Sequence, residues 1–90
     1  MAVEVRIPTI LRSYTGGAKA VDGRGATLSD VIESVEAGHP GIRERLVEGA
    51  DLRRFINVYV NDEDVRFLSG LATPISDGDV VVVLPAVAGG

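Results

Sequence analysis

The sequence predicts an α+β fold in which a mixed sheet of about five strands packs against one main helix. Segments near both ends of the chain alternate apolar and polar residues or run through β-branched ones, which is typical of strands. Between them, apolar residues recur at helical spacing. A chain of 90 residues, 46% of them hydrophobic, has room for one core and not for two. We therefore expect one domain, residues 1–85, followed by a flexible C-terminal tail, residues 86–90.

An N-terminal hairpin is the first predicted element. Its first strand alternates apolar and polar residues, and the apolar set is Val3, Val5 and Ile7. Pro8 ends this strand, and the glycines of residues 15–17 favour a turn. Residues 18–21 are therefore predicted to return as the second strand. Residues 22–25, which include two glycines, are expected to break the chain before the helix.

The main helix is predicted to begin after Thr27. Its apolar positions follow the i, i+3, i+4, i+7 spacing of one helix face: Leu28, Val31, Ile32 and Val35. Thr27 is a favourable N-cap, and the carboxylate of Asp30 suits the positive end of the helix dipole. Residues 38–41, which contain both glycine and proline, end the helix. Residues 42–47 are expected to form a short helical turn.

Residues 55–60 are predicted to form the third strand because they are rich in β-branched and aromatic side chains. An unpaired amide in a core is costly, so Asn57 is expected to point outward together with Phe55 and Tyr59. These two aromatic side chains would form a small exposed patch of the kind that marks interfaces, and Phe67, on a short return strand, would extend it. The alternative is that one or both of Phe55 and Tyr59 belong to the core.

The last strand is expected at the centre of the sheet. An acidic turn, residues 61–64, and the return strand, residues 65–67, precede it, and residues 77–79 favour a further turn. Residues 80–84 are all aliphatic, which is the pattern of a strand buried on both faces, and Pro85 ends it. We place this strand beside the first one and parallel to it, since a helix-containing crossover favours a mixed sheet. The order β-β-α-β-β-β is the β-grasp layout of ubiquitin-like domains.

Composition and charge argue against several classes of function. The chain has no cysteine, which removes disulfides and thiolate chemistry. No apolar run is long enough to span a membrane, and the first residues do not resemble a secretion signal, so we expect a cytoplasmic protein that does not bind membranes. The net charge of −4 lies entirely in residues 46–90, and aromatic residues are few. This argues against nucleic acid as a partner and favours a basic protein surface.

Residue constellations for catalysis by the chain alone are missing from the sequence. His39 lies in a predicted turn and has no cysteine or second histidine to serve, so we interpret it as a solvated loop residue and not as a general base. The carboxylates of residues 62–64 and 77–79 lack the spacing of a calcium loop, and we interpret them as turn residues, with no metal site predicted. The glycines lack the context of a phosphate-binding loop. We expect a protein that is not an enzyme and binds no cofactor itself.

The C-terminal tail carries the functional signal of the sequence. After Pro85 come only small or apolar residues, ending in a double glycine: Ala86, Val87, Ala88, Gly89 and Gly90. Glycine has no Cβ, so the terminal pair can pass through a narrow channel, and the six residues from Pro85 to Gly90 can extend about 20 Å. A carboxylate is a poor electrophile and needs a partner that encloses and activates it. We therefore predict that Gly90, supported by Gly89, is the reactive site and that residues 85–88 contact the partner.

The order of elements together with this tail resembles the ThiS/MoaD family of ubiquitin-like sulfur carrier proteins. The stretches that carry the resemblance span the domain: residues 7–12, 15–17, 58–67, 70–73, 77–79 and 84–90. Many members of the family end in Pro-Pro-Val followed by Ser or Ala and two glycines. Ala86 stands here in place of the second proline, which is similar to the CysO-like branch that serves cysteine synthesis and weakens a molybdopterin-specific assignment.

The resemblance implies a mechanism. An E1-like enzyme would use ATP and Mg²⁺ to adenylate the Gly90 carboxylate, and a sulfur donor would displace AMP to leave a thiocarboxylate. A downstream sulfur-accepting enzyme would then use that sulfur to make cysteine or another sulfur-containing metabolite. The chain would act as a protein co-substrate and as a monomer between encounters. Because it has no cysteine, it cannot hold sulfur as its own persulfide.

Three alternatives stay open. The first is a ubiquitin-like tag conjugated to other proteins through the same glycine, although the one lysine, Lys19, offers at most one side-chain site for self-linked chains. The second is a sulfur carrier for molybdopterin or thiamine. The third is an interaction domain whose tail has no role.

Overall fold

A five-stranded sheet with a helix across one face forms the domain in the computed structural model, which describes residues 2–85. The strands are β1 (Ala2–Arg6), β2 (Ala20–Arg24), β3 (Val47–Glu48), β4 (Asp51–Leu52), β5 (Ile56–Val60), β6 (Glu63–Asp64) and β7 (Val80–Pro85), and the helices are α1 (Leu28–Gly38) and α2 (Ile42–Leu46). Their order in the main sheet is β2-β1-β7-β5-β6, and only β1 and β7 run parallel. This confirms the predicted β-grasp layout with the last strand at the centre. The two-residue strands β3 and β4 pair separately and were not predicted.

Helix α1 covers the inner face of the sheet as its periodicity predicts. The Oγ1 of Thr27 accepts a hydrogen bond from the Asp30 amide at 3.2 Å, which confirms the N-cap. The four apolar side chains of the stripe are at most 5% exposed. They pack on alternate residues of the sheet: Val3, Val5, Val58, Val81 and Val83. The short turn after α1 is also confirmed, because α2 buries Ile42 and Leu46.

The break predicted at residues 22–25 is wrong, since β2 continues through Arg24. Gly23 pairs with Val3 in the β1–β2 ladder and is buried. A Cβ placed on Gly23 would lie 2.8 Å from Cγ1 of Val31, which is too close. The glycine therefore lets α1 pack close to the strand and does not act as a breaker. The loop between β1 and β2 also contains an unpredicted 3₁₀ helix, Thr9–Thr15.

The return strand predicted at residues 65–67 is also wrong. Asn61 and Asp62 have positive φ angles of 49° and 72°, so they form a tight turn and β6 begins directly after it. The Asp64 side chain then accepts a hydrogen bond from the Arg66 amide at 2.8 Å and caps a 3₁₀ helix, Val65–Phe67. This turn sends Val65 into the core with no exposed surface.

Strand β7 is buried on one face only, which corrects the expectation of burial on both. Val81 and Val83 are buried, whereas Val80 and Val82 are half-buried and Leu84 is 44% exposed. Within residues 2–85, helix α1 covers the inner face and no helix packs on the other. We call this outer surface the open face and define it by Val80, Val82 and Leu84 of β7 with their cross-strand neighbours Asn57 and Tyr59 of β5. The half-burial of Asn57 and Tyr59 confirms the outward orientation expected for both.

Candidate functional site

The predicted tail begins at the end of the central strand. Pro85 is the last residue of β7 and pairs with Ile56, the first residue of β5. The remaining predicted tail residues, Ala86, Val87, Ala88, Gly89 and Gly90, lie outside the described residues. Within residues 2–85, the candidate site is the surface on which the tail is rooted.

A groove borders Pro85 and combines apolar and basic side chains. We call it the tail-base groove, and its walls are formed by Ile10, Leu11, Ser13, Tyr14, Arg45, Arg53, Phe55, Ile56 and Pro85. Two large apolar side chains are unusually exposed there, Ile10 by 63% and Phe55 by 68%. Ile10 was not predicted as a site residue. The only sequence signal is that it falls out of phase with the alternation of β1.

Each of the two arginines of the groove donates a hydrogen bond from Nε to a neutral oxygen. Arg45 donates from Nε to the Tyr14 hydroxyl at 2.6 Å, and its guanidinium carbon lies 5.6 Å from the centre of the Tyr14 ring. Arg53 donates from Nε to the backbone oxygen of Glu44 at 2.5 Å, and its Nη1 lies 3.4 Å from a carboxylate oxygen of Glu48. Both guanidinium groups therefore have fixed positions beside the root of the tail.

Helix α2, which carries Arg45, is anchored by a carboxylate from α1. Glu36 accepts hydrogen bonds from the Arg43 amide at 2.9 Å and the Gly41 amide at 3.1 Å. These bonds, that of Arg43 first, hold the pKa of Glu36 below its ordinary value, so it caps α2 as an anion. Gly41 has a φ of 100°, and a Cβ there would lie 3.1 Å from the ring of Tyr14. Glycine is therefore required where α2 meets Tyr14.

The three aromatic residues predicted as a patch lie in three different elements of the structure. Phe55 lies in the turn before β5 and lines the tail-base groove, so the third strand begins one residue later than predicted, whereas Tyr59 lies within β5 on the open face. Between them the Asn57 side chain accepts a hydrogen bond from Nη1 of Arg66. Phe67 is 87% exposed on the following 3₁₀ helix. Neither Phe55 nor Tyr59 belongs to the buried core, which excludes the alternative left open by the sequence.

The acidic turn residues lie at the opposite end of the sheet from Pro85. Asp77 accepts a hydrogen bond from the Ala2 amide at 3.0 Å, and Asp79 accepts one from the Ser76 amide at 2.8 Å and another from the Asn61 side chain. The bonds to Asp79, that from Ser76 first, lower its pKa. These carboxylates stabilise turns, as their sequence context predicts.

In the part of the chain that the structure describes, no group of three or more His, Cys, Asp or Glu residues could hold a metal ion. No helix within residues 2–85 is both long and apolar enough to cross a membrane.

Comparison with known proteins gives consistent results over the whole chain. The sequence is 59% identical over 93 residues to the sulfur carrier protein CysO of Mycobacterium tuberculosis, and 39% identical over 93 residues to small archaeal modifier protein 3 of Haloferax volcanii, with all of both chains covered in each case. The structure matches a chain of the crystal structure of the Amycolatopsis orientalis BexX/CysO complex with a TM-score of 0.93 and 59% identity, covering 98% of this chain and 99% of that one. The ThiS family profile matches residues 5–90. Because this match includes nearly the whole chain and agrees with the β-grasp architecture, the chain belongs to the ThiS family and is a homologue of the sulfur carrier protein CysO.

Proposed function

We propose that this protein carries sulfur as a thiocarboxylate at Gly90 and acts as a co-substrate for other enzymes, without catalysis of its own. The observation that carries the proposal is the full-length similarity to the sulfur carrier protein CysO, together with a family match that extends through Gly90. The product class that fits this similarity best is cysteine or another sulfur-containing metabolite.

The chemistry needs two displacement steps at the terminal carboxylate. A carboxylate oxygen attacks the α-phosphorus of ATP in an E1-like enzyme, which forms the acyl-adenylate and releases pyrophosphate. Sulfide then attacks the acyl carbon, and AMP leaves with the bonding electrons. An enzyme persulfide in place of sulfide would give an acyl disulfide, and a third displacement would be needed: a second thiol of the enzyme attacks the enzyme's own sulfur, forms a disulfide with it and releases the thiocarboxylate. ATP and Mg²⁺ belong to the activating enzyme in this proposal, and the chain supplies the carboxylate.

The fold supports this role because it anchors the tail at a rigid point. Pro85 ends the central strand, in which β1 pairs with residues 80–82 and β5 pairs with residues 81–85. The five residues that follow can extend about 17 Å from it. We propose that Ala86, Val87, Ala88, Gly89 and Gly90 form the arm that enters a partner, with Pro85 at its base. The small side chains in this arm suit a narrow channel.

We expect the open face to be a second contact with the activating enzyme. Replacing Tyr59 by Ser should raise the KM for the carrier about tenfold, because buried aromatic side chains dominate the energy of many interfaces. Replacing Tyr59 by Phe keeps the ring and should leave KM within about twofold of the parent value. Steady-state kinetics of pyrophosphate release measures both. An unchanged KM for Tyr59→Ser would remove this residue from the interface, and Phe55 and Phe67 can be compared in the same way.

The direct test is the intact mass of the protein after incubation with an E1-like enzyme, ATP and sulfide. We expect one oxygen to be exchanged for sulfur, only when ATP is present. Oxidation of Met1 would give nearly the same mass, so the C-terminal peptide must be isolated and treated with a thiol-selective alkylating agent. If Gly90 stays unmodified by an enzyme that is active on another carrier, the proposal fails.

A second candidate function is supported by the similarity to small archaeal modifier protein 3. A modifier would share the adenylation step and then form an amide with a lysine of another protein. Incubation in a cell lysate distinguishes the two functions. Covalent adducts through Gly90 would favour the modifier, and a thiocarboxylate without adducts would favour the carrier.

A further inference from the structure

We propose that the tail-base groove is a docking surface for an acidic protein surface, the one that surrounds the entrance through which a partner takes up the tail. This inference rests on the proposed function, because a partner that reaches Gly90 must approach within about 17 Å of Pro85. The groove, which borders Pro85, therefore lies within reach of that partner.

Positive charge is concentrated around the root of the tail. Arg45 and Arg53 line the groove with Pro85, and Arg66 donates from Nη2 to the backbone oxygen of Ile56, the strand partner of Pro85, at 2.6 Å. Arg66 also donates to the backbone oxygen of Arg53 at 3.1 Å, so the guanidinium of Arg66 is tied to the loop that carries Arg53. Two of the three arginines thus line the groove with Pro85, and the third binds the residue that pairs with Pro85.

The charges of these arginines are largely uncompensated within the domain. Among residues 2–85, no carboxylate lies within ion-pair distance of Arg45 or Arg66, whose partners are a hydroxyl, an amide and backbone oxygens. Arg53 has one carboxylate neighbour, Glu48, at 3.4 Å, and the Glu48 side chain is 73% exposed, so solvent screens this pair. Arg45 donates through Nε to a neutral acceptor, so it keeps its charge and its Nη donors for a carboxylate from outside. Arg66 uses both of its Nη groups within the domain and contributes mainly its charge.

The opposite end of the sheet is acidic. Asp62, Asp77 and Asp79 lie there, at the turns that precede β6 and β7. The arginines of the groove and these aspartates therefore lie at opposite ends of β7. In the field of an acidic surface, such a molecule approaches with the root of the tail in front.

The groove also has the apolar component that a protein partner needs. The exposed side chains of Ile10 and Phe55 lie among the arginines. Arginine and aromatic residues together are enriched at the energetic centres of protein interfaces, and the apolar area would be covered on docking. An acidic rim around an apolar patch is thus the partner chemistry that the groove fits.

The test compares two double variants that remove the same charge. Arg45→Gln with Arg53→Gln neutralises the groove. Arg24→Gln with Arg43→Gln is the control, because Arg24 lies at the far end of β2 and Arg43 pairs with Glu33 on the helix side. At low ionic strength we expect the groove variant to raise the KM for the carrier in E1-dependent activation about tenfold, while the control stays within about twofold. The difference should shrink as salt is added.

The outcomes separate this inference from the proposed function. If wild-type protein is not activated, the proposed function fails, and the inference with it. If wild-type protein is activated and the two double variants have the same KM, placement of charge has no effect and only the inference is overturned. A lower KM for the groove variant would also overturn it, since the groove would then hold the chain's own tail. Arg45→Lys with Arg53→Lys, which keeps the charge, should restore most of the loss, and unfolding midpoints exclude misfolding.

Discussion

Deletion of Gly90 is expected to reduce the rate of E1-dependent activation about 100-fold or more and to leave the unfolding transition unchanged. The shortened chain still ends in a glycine carboxylate, so the reacting group is the same and only its position differs. One residue fewer withdraws the carboxylate by about 3.5 Å. A misplacement of only about 1 Å can cost a factor of 100 in a catalytic site. The hydrophobic core of the domain is built from residues within 2–85, so the domain keeps its stability.

A matched control distinguishes the effect of tail length from the effect of the terminal glycine pair. Deletion of Val87 shortens the tail by the same length and keeps both terminal glycines. Equal losses in the two deletions would show that reach dominates, and a smaller loss for the Val87 deletion would show that the glycine pair itself is required. The kcat/KM of both deletion variants in E1-dependent activation can be measured from the release of pyrophosphate. Full activity of the Gly90 deletion would show that Gly90 is not the reacting residue.

The parts of the fold that the sequence predicts correctly depend on local patterns. The apolar spacing of α1, its Thr27 cap and the aliphatic run of β7 each lie within a dozen consecutive residues. Errors arise where a tertiary contact overrides the local signal. Gly23 has the composition of a break, yet it continues β2 because α1 needs the space above it.

The tail-base groove could not be predicted because its residues come from distant parts of the chain. The groove combines residues of the first 3₁₀ helix, of α2, of the loop between β4 and β5, and of β7: Ile10, Arg45, Arg53 and Pro85. The distribution of charge around Pro85 also depends on the fold and not on sequence position. The second half of the sequence is acidic, which favours a basic partner. The fold, however, places the turns of residues 61–64 and 77–79 at the other end of the sheet from Pro85, and it brings arginines from both halves of the chain to the groove beside Pro85. The positions of charged residues along the chain therefore do not show which end of the folded domain carries the positive charge.

Substitution of Gly25 is expected to have the second large effect, which is a loss of stability of the domain and not a change in the activation of Gly90. A Cβ at this position would lie 2.4 Å from Cβ of Asp30 and 2.7 Å from the backbone nitrogen of Val31, and backbone atoms in the first turn of α1 cannot move aside cheaply. We expect Gly25→Ala to cost about 3 kcal/mol of unfolding free energy, at the upper end of overpacking effects. For a domain of this size that lowers the midpoint of thermal unfolding by roughly 12–24 °C.

Gly38 provides the matched control, because it lies at the end of the same helix and a Cβ placed there would have no atom within 4 Å. Gly38→Ala should therefore be neutral or stabilising by up to about 1 kcal/mol. Thermal and denaturant unfolding measure the stability of both variants. Equal unfolding midpoints for Gly25→Ala and wild type would contradict the close packing of Gly25 against the first turn of α1.

Below its unfolding midpoint, Gly25→Ala should be activated with the parent KM, since β2 and the start of α1 form no part of the tail-base groove. The stability of the domain and the activation of Gly90 then depend on separate residues. Close packing of the start of α1 against β2 stabilises the sheet, and the sheet fixes the position of Pro85, from which the tail extends.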